Sequence, residues 1–458
     1  MVLTCLAPLS VRAHGVLGHV HVTGWAVENL PAGELRDFFD DPAVLNAALF
    51  GAAYTDSGYS QTDASIAGAS AAYSEHTHWE PFIQDFIEWI AANDPPPWTS
   101  VESRQRVAFL MGCASHGLQD EIFDSLFLFQ VMEHDNGNQS NADPASDGFL
   151  GVDGHLRFFP EIWLPMDTLL ELYGPMGAGI DASVINDSVG LMMTFYVNDT
   201  LGPVVAQTLA EEHEADLTWM RAHYLDPAIP GSLRAEIVPT LHYLEAIWDR
   251  LHGRFTPGQA VIATYPGPPR RLLGVDSDSP DSWVTFIYGV GVSESEATFK
   301  FTNDDAAAPV PFATKGTRWG ADFTRLHRLQ PSADLAHDAW HTATLAAGVP
   351  LIDGGQGAET STVFQTPCAG GADCPDPVGI VVPAIDGSFV PEPDPEPEPA
   401  PDVGPSEIDA GVVEADAPPE ASDSGCQGSP GSAPTPGAWW FPLGLIPCLL
   451  VRRAAVLR

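Results

Sequence analysis

Hydrophobic positions in the first half of the chain recur at helical spacing. Apolar residues return every three or four positions, the repeat that places them on one buried face of a helix. A proline triplet at 95–97 ends one predicted helix, and Ser100 is placed to cap the next. The predicted helices cover residues 82–92, 101–131, 162–173, 204–223 and 233–251. Residues 137–154, rich in Gly, Asp and Asn, are expected to form a long loop.

Beyond residue 255 the pattern changes to short apolar runs separated by turn residues, which is typical of strands. These runs lie at 260–265, 283–292, 297–301 and 361–365. We therefore expect a mainly α-helical domain followed by a β-sandwich. The segment LQPSADLAHDAWHTATLAAGVPLIDGGQGAETSTVFQT resembles the closing part of bacterial immunoglobulin-like domains, so the β-sandwich is expected to be immunoglobulin-like.

The C-terminal region has a composition that cannot form a core. Residues 390–424 are largely Pro, Asp, Glu and Ala with no aromatic side chain, which predicts an extended linker. Cys426 then precedes the apolar segment AWWFPLGLIPCLLV and the basic pair Arg452-Arg453. This order resembles the tripartite C-terminal sorting signals of myxobacterial surface proteins, with a plain anchor as the alternative.

The N-terminal segment MVLTCLAPLSVRA is apolar and ends in small residues around a single arginine, which fits a signal-peptidase site after Ala13. A disordered leader is the alternative. The predicted organisation is a signal peptide at 1–13, a helical domain at 14–255, a β-sandwich at 256–375, a linker at 376–425 and a sorting or anchor signal at 426–458. This organisation predicts an exported protein, either at the cell surface or extracellular.

Charge and cysteine content narrow the function classes. The chain carries 19 Lys and Arg against 61 Asp and Glu, a formal net charge of −42. Most of such a surface repels nucleic acid unless bound metals invert the local field, so no nucleic-acid partner is expected. Six cysteines are too sparse for a disulfide scaffold, although Cys368 and Cys374 flank a Gly- and Ala-rich stretch that a small surface disulfide could close.

Candidate chemistry is concentrated in the run VAFLMGCASHGLQDEIFDSLFL. Its His116, Asp120 and Asp124 recur every four residues, a spacing that keeps all three side chains on one face of a helix. Apolar residues cover the rest of the helix, which predicts burial. An imidazole buried with two carboxylates needs a cation among them, and His and Asp are ordinary zinc ligands. A half-exposed helix with solvated carboxylates is the alternative.

Three further segments add histidines and an aspartate to this set. SEHTHWEPF contains His78, AAYTDSGY contains Asp56 in a predicted turn, and HGVLGHVHV contains His14 and His19. Each of these residues alone is more often a surface or core residue than a ligand. Four such segments in one predicted domain favour a shared metal site.

The segments HTHWEPF, VAFLMGCASHGLQD, and DGFLGVDG followed by EIWLPMDTLLELY resemble the zinc-dependent phospholipase C family, in particular the catalytic domain of glycosylphosphatidylinositol-specific phospholipase D. The similarity covers about the first half of the chain, with the motif order preserved. It implies a helical bundle of the phospholipase C and single-strand nuclease type, two or three zinc ions, and hydrolysis of phosphodiester bonds in phospholipids.

The resemblance also implies roles for individual residues. Asp56, His78, His116 and Asp120 match the zinc ligands, with Asp120 or Asp56 as the bridge between metals. His19 matches the N-terminal zinc histidine. Asp56 is further expected to orient or deprotonate the attacking water.

The mature N-terminus is expected to belong to the site, because the wider superfamily uses its terminal amino group and first carbonyl as ligands. Cleavage after Ala13 leaves His14 as that terminus, five residues ahead of His19. The cleavage rule and the ligand spacing therefore agree.

Three positions depart from the family pattern. Asp124 stands where close members carry a histidine ligand, and Asp143 and Asp147 stand in place of a later histidine and acid pair. Carboxylates in place of imidazoles lower the positive charge of the site and bear on the number and type of metals. A degenerate, inactive site is the alternative.

The expected partner is a phospholipid or another phosphodiester, with association at a membrane surface. Two other functions stay open. One is a related single-strand nuclease, which the acidic surface disfavours. The other is a non-enzymatic surface-binding protein whose metal is structural.

Overall fold

The computed structural model describes residues 15–177, 179–195, 197, 199, 202–267, 270–316, 322–369 and 382–387. All of these lie in one compact unit. The predicted signal peptide with His14, most of the linker at 376–425, and the sorting signal at 426–458 lie outside the described residues. Cys368 is disulfide-bonded, and its predicted partner Cys374 also lies outside them.

The N-terminal part is helical, as predicted. Its α-helices are α1 (Val16–Glu28), α2 (Glu34–Phe38), α3 (Pro42–Tyr54), α4 (Ala67–Thr77), α5 (Glu80–Asn93), α6 (Val101–Ile122), α7 (Leu128–Asp135), α8 (Gln139–Val152), α9 (Met166–Tyr173), α10 (Ala182–Phe195), α11 (Gly202–His213), α12 (Thr218–His223) and α13 (Ile237–Leu251). A π-helical turn, Phe123–Phe127, joins α6 to α7. Among the described residues, no helix combines the length and apolar character needed to cross a membrane.

Helices α3 and α6 pack backbone against backbone at the centre of the helical part. A Cβ atom at Gly51 would lie 2.3 Å from the carbonyl oxygen of Phe109. One at Gly112 would lie 2.0 Å from the carbonyl oxygen of Ala48. Glycine is therefore required at both positions, and the close approach brings the end of α3 to the middle of α6.

The loop predicted at 137–154 is wrong, because most of this segment forms α8. Asn138 caps the helix by accepting from a backbone N–H, and the side chain of Asn141 completes a capping box. The glycines that suggested a loop serve helix packing instead. A Cβ atom at Gly148 would lie 2.5 Å from the backbone nitrogen of Ala210 on α11.

The C-terminal part consists of β-sheets, as predicted. Its strands are β1 (Val261–Tyr265), β2 (Arg270–Arg271), β3 (Val284–Ser293), β4 (Phe299–Asn303), β5 (Ala308–Pro309), β6 (Phe312–Gly316), β7 (Phe323–Pro331), β8 (Trp340–Leu345) and β9 (Thr360–Gln365). One sheet has the strand order β1-β3-β7-β6, and the other has the order β2-β9-β8-β4-β5. All strand pairs are antiparallel except β2 with β9.

The four-stranded sheet is covered on both faces. Phe286 and Tyr288 of β3 share an apolar cluster with Phe364 of the other sheet. Ile287, which lies between them on β3, and Leu326 of β7 instead belong to the core of the helical part. Alternate residues of one strand therefore face opposite cores, which explains why β3 is buried along its whole length. The boundary at residue 255 and the immunoglobulin-like character of the sheets stay predictions.

We predict that Gly112→Ala and Gly190→Ala change stability in opposite directions. The first forces a methyl group into the α3 backbone and is expected to lower the free energy of unfolding by about 2 kcal/mol. Gly190 lies within α10, where nothing lies within 4 Å of an added Cβ, so the same substitution is expected to raise the free energy by about 1 kcal/mol. Urea unfolding measures both, and equal effects would contradict the packing described here.

Candidate metal centre

Five buried side chains from four parts of the helical unit meet at one point. They are His19 of α1, Asp56 just after α3, His78 just after α4, and His116 and Asp120 of α6, and none is more than 5% exposed. Two groups of potential metal ligands result, His19–His116–Asp120 and Asp56–His78–His116, with the ligand atoms of each group within 4.8 Å of one another. The structure thus brings together five of the nine predicted ligands.

Asp120 contacts all three imidazoles. Its Oδ1 lies 2.9 Å from His19 Nε2, and its Oδ2 lies 3.1 Å from His78 Nε2 and 3.4 Å from His116 Nε2. Asp56 Oδ1 lies 3.2 Å from His78 Nε2 and 3.6 Å from His116 Nε2. The rings of His19 and His116 stack with centroids 3.5 Å apart. Asp120 is therefore placed between the two ligand groups, where a bridging ligand would lie.

The other ring nitrogen of each histidine is engaged by an oxygen that can only accept. The contacts are His78 Nδ1 to Ser74 O at 2.6 Å, His116 Nδ1 to Ala52 O at 2.6 Å, and His19 Nδ1 to the side-chain oxygen of Gln119 at 3.0 Å. Each Nδ1 must therefore carry the hydrogen. In a neutral imidazole this leaves Nε2 as a bare lone pair.

The bare nitrogens face carboxylate oxygens that also lack hydrogens. Both oxygens of Asp56 and Oδ1 of Asp120 have no hydrogen-bond donor among the described residues. Buried polar atoms without a partner cost about 1–3 kcal/mol each, and lone pairs that face each other repel. A divalent cation at this point would satisfy the nitrogens and the oxygens together.

Without a cation, protons take its place. Burial lowers the pKa of His78, but Asp120 and Asp56 more than offset this and raise the pKa to about 10. Burial raises the pKa of Asp56, yet His116 and His78 hold it at about 2. Without a metal, Nε2 of His78 and His116 would therefore hold protons beside the two carboxylates, since the pKa of both histidines is raised. Burial and the nearby His116 instead lower the pKa of His19.

Asp147, predicted as a ligand, is engaged at the start of α1. Its carboxylate oxygens accept from the backbone N–H groups of Leu17 at 3.1 Å and Gly18 at 2.7 Å, as a helix cap does. Burial raises its pKa to about 7. This contact between α8 and α1 fixes the turn that leads to His19. A direct role of Asp147 as a metal ligand stays a prediction.

Asp124 and Asp143 form an acidic border beside the centre. Asp124 lies in the π-helical turn and accepts from Gln139 Nε2 at 3.1 Å. Asp143 is fully buried on α8, and neither of its carboxylate oxygens has a hydrogen-bond partner among the described residues. Burial first, and then the charges of Asp124 and Asp120, raise the pKa of Asp143 well above its usual range. Their role as metal ligands stays a prediction.

Sequence reasoning missed the arginine that supports the centre from the β-sheets. Arg325 of β7 is fully buried and donates from Nε to Glu121 at 2.9 Å and from Nη2 to the carbonyl oxygen of His78 at 2.6 Å. Glu121 directly follows the candidate ligand Asp120. A Cβ atom at Gly117 would lie 2.1 Å from the same His78 oxygen. One side chain from the sheets therefore holds two neighbours of the centre in place.

Comparisons with known proteins give a partial similarity to phospholipases D. No protein-family model matches the chain. The chain is 32% identical over 107 residues to the phosphatidylinositol-glycan-specific phospholipase D of Mus musculus, and 42% identical over 111 residues to that of Rattus norvegicus. Each match covers 22% of this chain and 13% of the relative. The match to the Homo sapiens protein is 42% over 57 residues, or 12% of this chain and 7% of the relative. The chain thus spans only a small part of the curated relatives it matches.

Solved structures give weaker matches. CopC from Methylosinus trichosporium OB3b is 17% identical and matches 24% of this chain and 93% of its own, with a TM-score of 0.19. The N-terminal part of the bacterial S-layer protein SbsC is 11% identical and matches 71% and 79%, with a TM-score of 0.20.

Arg325→Met is expected to destabilise the protein and reduce its metal content. The substitution leaves Glu121 buried without its cation, which costs about 3–5 kcal/mol, and removes a donor from the His78 carbonyl. Replacing both partners, in Glu121→Leu with Arg325→Met, is expected to recover much of the stability. Urea unfolding and metal analysis of the purified variants measure the two effects.

The matched control is Arg254→Met, because Arg254 forms an exposed ion pair with Glu34. Exposed pairs contribute little, so this variant should keep the stability and metal content of the parent. Equal losses in the Arg254 and Arg325 variants would contradict a special role for the buried pair.

Stabilisation by zinc is expected to grow as the pH rises. In the metal-free protein the pKa of His78 is raised from 6.5 to about 10, so its contribution to stability is complete below pH 6.5 and disappears as the pH rises to 10. Zinc requires the neutral imidazole and competes with this proton, so it binds more tightly over the same interval. The difference in melting temperature between zinc and a chelator, measured from about pH 6 to about pH 9, should therefore widen. A constant difference would mean that His78 does not exchange a proton for the metal.

Proposed function

We propose that this chain is a metal-dependent phosphodiesterase that hydrolyses phospholipids, in a reaction of the phospholipase C or D type. The observation that carries the proposal is the convergence of three imidazole Nε2 atoms on two buried carboxylates. This donor set of nitrogen and carboxylate oxygen suits zinc. His19, His78, His116, Asp56 and Asp120 would hold two ions, and the acidic border of Asp124 and Asp143 is the place for a third.

Bound zinc would supply a Lewis acid for the phosphodiester and would acidify water near neutral pH. The residues of the chain supply position and orientation. Hydrogen bonds to Ser74 O and Ala52 O fix the rings of His78 and His116 and make them stronger donors. Asp56, whose Oδ2 has no hydrogen-bond partner among the described residues, would accept a hydrogen bond from the attacking water. Its low pKa favours orientation of the water over removal of its proton.

The choice of a lipid substrate rests on two supports. The partial similarity is to proteins named for cleavage of a phosphatidylinositol glycan. The net charge of −42 disfavours a polyanion such as single-stranded DNA. The proposal includes export to the cell surface or the extracellular space and contact with a membrane surface. The β-sheets would act as an immunoglobulin-like spacer or binding module.

His116→Ala is expected to lose both bound zinc and hydrolysis, because His116 belongs to both ligand groups. Removal of one ligand or general catalytic group typically lowers turnover by a factor of about 100 or more. Metal analysis and hydrolysis of phosphatidylcholine micelles measure the two losses. Identification of the product, phosphatidate or diacylglycerol, distinguishes D-type from C-type cleavage.

His337→Ala is the matched control, since His337 is exposed on the β-sheet part. It should retain zinc and activity. Full activity of His116→Ala would rule out this centre. Cleavage of single-stranded DNA but not of lipid would support the nuclease alternative. Unfolding on metal removal, with no hydrolysis of any phosphodiester, would make the metal structural.

A further inference from the structure

A cavity lies where α13 meets the β-sheets, apart from the metal centre. Its volume is about 340 Å³, and none of the five metal-centre residues lines it. This volume falls in the range of small-molecule sites. Apolar side chains form much of the wall, including Leu126, Val238, Ile262, Ala263, Leu272 and Trp283. The cavity can therefore accept a hydrocarbon body.

Three arginines line the same cavity, although the whole chain has only 19 Lys and Arg. Two of them, Arg234 and Arg271, are bound only by neutral acceptors among the described residues. Arg234 Nε donates to Pro383 O at 2.8 Å. Arg271 donates to the side-chain oxygen of Gln365 at 2.6 Å and contacts the sulfur of Cys368 at 3.1 Å, while its Nε is buried without a partner.

The two arginines of the cavity differ from the arginines that support the core between the helices and the sheets. Two other buried arginine side chains are paired with carboxylates, Arg250 with Glu80 at 2.7 Å and Arg325 with Glu121 at 2.9 Å. One carboxylate, Asp281, does line the cavity, but it accepts from Gln130 at 2.6 Å. Guanidinium groups beside an apolar wall with no carboxylate paired to them select an anion from outside the protein.

We propose that this cavity binds an anionic amphiphile, a molecule with one carboxylate or phosphate group on a hydrocarbon chain. The anion pairs with Arg234 and Arg271, and the hydrocarbon lies along the wall formed by Val238, Ile262 and Ala263. The cavity is a binding site separate from the proposed hydrolytic centre. Its test requires no turnover, so it can fail or succeed independently of the proposed function.

Three probes of equal chain length separate the contributions: decanoate, decyl phosphate and decanol. Titration calorimetry on the full chain is expected to show one-to-one binding of at least one of the two anions, with decanol at least about tenfold weaker. Arg234→Gln and Arg271→Gln should each weaken binding of the anion by about tenfold or more. The tighter of the two anions identifies the ligand as a fatty acid or a lipid phosphate.

Two further variants control the location. Arg254→Gln removes an exposed arginine on another surface and should leave binding unchanged. Ala263→Trp fills the cavity and should block binding while thermal unfolding stays cooperative. Equal binding of decanol and the anions, no binding of either anion, or full binding in Ala263→Trp would each overturn the proposal. Loss of anion binding on addition of a zinc chelator, while circular dichroism shows that the protein stays folded, would overturn it as well.

Discussion

Three imidazole Nε2 atoms face two carboxylates inside a helical core, and this arrangement requires a positive charge among them. Several packing contacts between the helices hold these side chains in position. The glycine contacts between α3 and α6 bring the Ala52 carbonyl against His116. The Asp147 cap fixes the start of α1 so that His19 reaches Asp120. Protons or metal ions then supply the charge, and only the metal leaves the imidazoles neutral.

The β-sheets belong to this arrangement as well. The four-stranded sheet lies between the helices and the second sheet, so its residues divide between two cores. Arg325 extends from that sheet into the helical part and reaches both Glu121 and the His78 carbonyl. Loss of either partner of such a buried pair would leave an uncompensated charge in the core. The sheets thus help to determine where His78 lies.

The spacing of apolar residues along the sequence predicted those helices that bury one face or that begin at a recognisable capping residue. Helix α6 combines a cap at Ser100 with polar residues at every fourth position, and α5 and α9 have apolar residues at helical spacing. Helices α1 and α3 were missed because they are buried on nearly every side, so their apolar residues do not recur on one face. Helix α8 was missed because Gly148 signals a loop locally and close packing only in three dimensions.

The residues of the candidate metal centre also differ in how far the sequence alone could identify them. His116 and Asp120 follow from spacing on one helix, whereas Asp56, His78 and His19 became ligands through a resemblance of short segments. Arg325 could not be found by either route. It lies about 200 residues beyond Glu121 in sequence, and an arginine in a strand is ordinarily solvated. Contacts at such separation depend on the packing of whole elements rather than on any local pattern.

The Arg325 contact also bears on how such a chain can diversify. Recombination that exchanged the sheet-forming half for an unrelated domain would leave Glu121 buried without Arg325. It would also remove the hydrogen bond from Arg325 to the carbonyl oxygen of His78. A viable hybrid would have to bring its own guanidinium to the same depth, or lose the glutamate in the same event. The two halves are therefore expected to be inherited together, with substitutions at positions 121 and 325 coupled across lineages.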